Sequence, residues 1–142
     1  MAFTRPVKGA DISAEDFGQP VYDWIAAATP GVWAGVTFAS GDWQNYPTFQ
    51  PCTYRRVGTT VSLRGVAQRR NANIDPGVTV TMFVLPVGFR PPAALLATAL
   101  VGFANPGAGR LDIRTDGVVS IQPTVVIPPD GYVGFSLVFW TD

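Results

Sequence analysis

The period of the hydrophobic pattern changes once along the chain, near residue 31. Before that point Phe17, Val21, Trp24, Ile25 and Ala28 recur at helical spacing on one face. Ser13 can cap such a helix, and Glu15 and Asp16 favour its first turn. Pro20 either kinks the helix or opens a shorter one over residues 20–28, and Thr29-Pro30-Gly31 ends it. Residues 1–12, with Pro6 and Gly9 and no period, read as an extended arm. A helix this short is marginal in water by itself. Its apolar face must be covered by the rest of the chain or by copies of itself, so Phe17, Val21, Trp24 and Ile25 are candidate oligomer-interface residues.

From residue 32 onward the period is two. Val32–Ala39 is a candidate strand; residues 40–51 form a loop carrying Trp43, Tyr46 and Phe49; Cys52–Arg56 and Thr59–Ala67 are strands. Gln68–Gly77 reads as a polar loop ending in Asp75-Pro76-Gly77. Val78–Val84 alternates best. Leu85–Pro92 is a rigid connection, and Ala94–Val101 is apolar throughout, a buried strand or a helical turn that periodicity cannot separate. Leu111–Thr115 and Val118–Gln122 flank Asp116-Gly117, the strongest hairpin signal in the chain. Asp130-Gly131 marks another turn, and Val133–Trp140 is an aromatic-rich closing strand. About eight strands of ordinary length with turns between them predict a mainly β fold. The expected form is an antiparallel β-sandwich of jelly-roll type, with residues 1–30 as an arm and helix for assembly or docking and 31–142 as the sandwich.

Composition sharpens this picture. The 142 residues are 47% hydrophobic and only 14% charged, with one Lys, one Glu, 15 Gly and 13 Pro. Lys and Glu usually cover exposed helices, so few are expected. A chain this poor in ions is expected to hide extra surface in an oligomer. Its formal net charge of +0 lacks the basic excess of a nucleic-acid binder. No apolar run is long enough to span a membrane as a helix, and the N-terminal sequence has no apolar signal core. The one cysteine, Cys52, precludes an internal disulfide and fits synthesis in a reducing cytosol.

Five stretches together resemble the C-terminal β-sandwich domains of bacteriophage tail-fibre and receptor-binding (minor tail) proteins. They are Trp43-Gln44-Asn45-Tyr46; Tyr54–Gly58 leading to Val61–Val66; Leu85-Pro86-Val87-Gly88-Phe89-Arg90-Pro91-Pro92; Leu111–Val119; and Phe135–Phe139. The N-terminal Ile12–Phe17 pattern is similar to the start of small phage structural proteins. The resemblance implies a homotrimer in a virion, made in the host cytoplasm, with other tail proteins and a bacterial surface glycan or protein receptor as partners. It leaves open a tail-tip, fibre or decoration role. The alternatives are a capsid or tail decoration protein that binds only other virion proteins, a polysaccharide-binding module, and a free trimeric jelly roll.

Catalysis is not expected. The chain has no histidine, which removes Ser-His-Asp and Cys-His nucleophilic sites and most catalytic zinc sites. Cys52, without a base, is expected to be a buried apolar residue. Asp75, Asp116 and Asp130 are turn residues by their Gly and Pro neighbours, and Asp112 is expected to pair with Arg114 or with water. No phosphate-binding loop or other cofactor motif is present. Among the aromatics, Trp33 and Tyr54 read as core or trimer-axis residues. Trp43 and Tyr46 are the candidate ligand-binding residues, because loop aromatics stack on the apolar faces of sugar rings.

Overall fold

The computed structural model describes residues 31–142, and the proposed helix with Phe17, Val21, Trp24 and Ile25 lies outside them. Among the described residues nine strands form a single antiparallel sheet. They are β1 (Ala34–Gly35), β2 (Trp43–Asn45), β3 (Thr53–Val57), β4 (Thr60–Arg69), β5 (Val80–Val84), β6 (Leu95–Gly102), β7 (Gly107–Ile113), β8 (Val118–Pro123) and β9 (Tyr132–Trp140). The hydrogen-bonded order is β1-β3-β4-β9-β6-β7-β8-β5, with β2 also paired to β4. The ends of this path come back together. Phe38, just after β1, bridges Phe83 of β5, and Ala39 N–H donates to the Met82 carbonyl at 2.9 Å. The two-sheet sandwich expected from the strand pattern is therefore, by its hydrogen bonding, one curled sheet.

Alternation builds the interior. Along β4, Val61, Leu63 and Ala67 point inward while Thr60, Ser62, Arg64 and Val66 point outward. Val133, Phe135 and Phe139 of β9 join them, and Leu111, Ile113, Val119 and Ile121 of β7 and β8 close the other side. The Phe83 ring meets Phe135 across the interior at 5.9 Å. Strand β5 departs from strict alternation. A bulge between Thr81 and Phe83 turns both Met82 and Phe83 into the core.

Two glycines shape the sheet locally. The β7–β8 hairpin turns where Asp116-Gly117 predicts it: Gly117 N–H donates to Arg114 O at 3.0 Å, and Gly117 takes φ +87. Gly65 sits where β4 passes from pairing with β3 to pairing with β2. A Cβ there would lie 2.3 Å from the Cys52 Cα. The missing side chain lets the 46–52 segment lie against β4, with Tyr46 N–H donating to Val66 O and Val66 N–H to Gln50 O. The same glycine places the Tyr46–Phe49 loop against the sheet.

The strand expectations hold with shifts. The 40–51 loop contains the short strand β2, and β4 runs on through Gln68 and Arg69 into what reads as polar loop. Ala94–Val101 resolves as strand, β6.

Candidate functional site

Strand β6 explains its own ambiguity. Its inward residues Ala99 and Val101 are buried, yet its outward residues Leu96 and Leu100 are 70% and 57% exposed. The outer face of β9 is similar, with Val138 and Trp140 at 58% and 69%. β6 and β9 pair only over Leu100–Gly102 and Tyr132–Gly134 and then diverge. The opening between them is a cleft of about 230 Å³ lined by Pro91, Pro92, Leu95, Val138 and Trp140 among others.

At the paired end the same face carries an aromatic groove of about 380 Å³. Its walls are Tyr46 and Phe49 from the loop after β2, Phe103 from the turn after β6, and Tyr132 of β9; its floor is Val66, Leu100 and Gly134. Tyr46 and Phe49 stack edge to face at 5.3 Å, which fixes one wall. Gly134 leaves the floor open. A Cβ there would meet only Val66 Cγ2 at 3.8 Å and Leu100 O at 3.9 Å. Apolar ring faces with a few hydroxyls at the edge can stack on a sugar or another flat amphipathic group.

The two sequence candidates separate here. Tyr46 lines the groove. Trp43 is 3% exposed, its indole N–H donates to Thr81 O at 3.1 Å, and the Arg69 guanidinium lies 5.0 Å from its ring. Trp43 is therefore part of the core, because β2 pairs with β4 and turns its first residue inward. Tyr54 packs inside on Phe89 at 4.8 Å. Trp33 lies on the outer face against Arg55 and Arg64. Sequence reasoning missed Phe103, Tyr132 and Gly134. The available signal was Gly134, a glycine between bulky residues in a strand, which marks a close approach or a ligand.

Several of the ionisable groups are engaged by near neighbours or buried. Asp112 pairs with Arg110 at 2.7 Å rather than with Arg114: Arg110 shares its face of β7, whereas Arg114 lies past the end of the strand. Arg114 pairs with Asp116 at 2.9 Å across the turn. Asp42 is held below the ordinary carboxylate range by hydrogen bonds from Asn71 and Ser40. Cys52 is fully buried, and burial pushes its thiol up to about 12. Among the described residues no group of three or more His, Cys, Asp or Glu could hold a metal ion.

No family model matches this chain, and no curated protein matches it. A solved structure does: the head domain of the lactococcal phage bIL170, described with the receptor-binding domains of lactococcal phages. The likeness has a TM-score of 0.62 at 13% identity and covers 79% of this chain and 99% of that one. The described chain thus has the fold of that head domain.

Proposed function

We propose that this protein attaches a phage particle to its host, as a receptor-binding component of the tail that works as a homotrimer. The observation that carries this reading is the fold shared with the bIL170 head domain, on a chain that also presents an open aromatic groove. The groove takes a bacterial surface saccharide, stacked on Tyr46, Phe49, Phe103 and Tyr132. Each site is weak, and three on one trimer raise avidity by roughly 10²–10⁴ without new contacts. The outer apolar residues Leu96, Val138 and Trp140 are buried between subunits, and Phe17, Val21, Trp24 and Ile25 add to the trimer or to docking on other tail proteins.

The test is binding of fluorescently labelled protein to intact candidate host cells, with and without enzymatic removal of surface glycans. Binding that disappears with the glycans is the expected result. Binding that survives removal points to a protein receptor. Absence of binding to every host of the source phage would reject attachment. A second reading, a decoration protein that binds only other virion components, draws on the same exposed Val138 and Trp140. Retention on purified virions without any affinity for cells would favour it.

A further inference from the structure

Among the described residues, the buried side-chain polar atoms without a hydrogen-bond partner are Thr53 Oγ1, Arg55 Nε and Arg64 Nε. All three are in one place. Thr53 and Arg64 are paired across β3 and β4, and Arg55 is two residues along β3 from Thr53, so they project from the same outer face. Trp33 lies against both arginines. Their guanidinium carbons are 4.6 Å and 3.8 Å from its ring centroid, so the two cations are no further apart than these distances together allow. Neither takes part in an ion pair among the described residues, where the salt bridges are Arg110–Asp112 and Arg114–Asp116.

The indole face offsets part of this charge, but it accepts no in-plane N–H bond. Arginines that merely cover apolar surface keep their heads hydrated. Here both Nε atoms are shut off from solvent, and among the described residues they have nothing to donate to. A partner for these atoms must accept hydrogen bonds, and one with negative charge would also offset the two guanidinium charges. A planar guanidinium fork matches the two oxygens of a carboxylate or phosphate, and the Thr53 hydroxyl supplies a further donor.

We propose that Trp33, Thr53, Arg55 and Arg64 form an oxyanion-binding site on the outer face of β3 and β4, taking a carboxylate or phosphate group. This site is separate from the aromatic groove, and the proposal stands whether or not the protein is an attachment protein. The oxyanion has two possible sources: an external acidic group, or the carboxylates of residues 1–30, which include Asp11, Glu15, Asp16 and Asp23.

Nitrogen-15 spectra of the arginine Nε–H groups of the full chain test it. Inorganic phosphate and acetate are added separately at constant ionic strength made up with chloride. The expected result is a saturable shift of the Arg55 and Arg64 signals together, with Arg110 as the unresponsive control. Arg64→Lys, which keeps charge and stem but loses the fork, abolishes the saturable shift of Arg55. A silent native chain with a responsive D11N/E15Q/D16N/D23N variant assigns the site to the chain's own carboxylates. Linear, unsaturable drift in both proteins overturns the proposal.

Discussion

Strands β4 and β9 have an inner face, and β9 and β6 have an outer face, that are comparably greasy in sequence and opposite in fate. Val61, Leu63, Val133 and Phe139 are at most 2% exposed, while Leu96, Leu100, Val138 and Trp140 are all more than half exposed. The inner set is covered by the chain's own curl. The outer set is covered by nothing among the described residues. Large apolar residues exposed on one face of a sheet make that face a candidate interaction site. Hydrophobicity along the chain says that a residue seeks cover; only the fold says whether its own chain provides it.

The comparison breaks most sharply at Leu63. It is fully buried, and Leu63→Ala leaves a cavity that costs about 2–5 kcal/mol. Chemical denaturation with an unchanged slope is the readout. A loss under about 1 kcal/mol would mean that the inner face is loosely packed and that the contrast with the outer face is false.

The next effect belongs to Cys52, on the inner side where Gly65 admits it. Its folded thiol titrates about 12, against 9.0 when unperturbed. The pKa is raised, so its contribution is complete below pH 9.0 and is lost as pH rises toward about 12. The stability of the native chain relative to Cys52→Ala is thus constant from pH 6 to 8.5. Above pH 9.0 it falls by up to about 1.4 kcal/mol per pH unit. A flat difference through pH 10.5 would place the thiol in contact with water.

Legibility in the sequence followed the range of the interactions. The β7–β8 turn was readable because Asp116 and Gly117 act locally: Asp116 Oδ1 accepts from Val118 N–H at 3.2 Å and Gly117 supplies the positive φ. β4 was readable because one of its faces is apolar and the other is not. β6 was not, because both its faces are apolar for different reasons, one for the core and one for the outer patch. The bulge that sends both Met82 and Phe83 inward breaks the two-residue period without any glycine or proline to announce it. Trp43 reads as a loop residue between Gly41-Asp42 and Pro47, yet its place is set by pairing with Arg69, which no local pattern encodes. The groove draws on residues 46, 49, 66, 100, 103, 132 and 134, so only its first wall, Tyr46 and Phe49, could be suspected before the strands were placed.

The outer face should respond differently from the inner one. Leu96→Ser with Trp140→Ser removes two large exposed side chains and shifts monomer stability by no more than about 0.5 kcal/mol per site. If the proposed trimer forms through this face, its effect is on assembly: light scattering should show the mass falling from that of three chains toward that of one. An unchanged mass would take these residues out of the subunit interface and leave that role to residues 1–30. A stable monomer in the native chain would remove the trimer altogether.

The smallest expected change in stability comes from the groove floor. Gly134→Val adds a β-branched side chain at a strand position where a Cβ finds only ordinary contacts, with Val66 and Leu100 O. The melting temperature should hold or rise slightly. The valine fills the space between Tyr46, Phe103 and Tyr132, so cell binding should fall to background while mass and fold stay native. Tyr46→Ala removes a wall instead of filling the floor and should weaken binding through lost stacking. These variants separate two uses of one apolar face. If Gly134→Val abolishes binding and the Leu96/Trp140 pair abolishes only the trimer's avidity, the groove recognises the receptor and the diverging edge of β6 and β9 assembles the particle. If Gly134→Val binds cells as the native protein does, the groove is one more subunit contact, and the receptor is met elsewhere on the sheet.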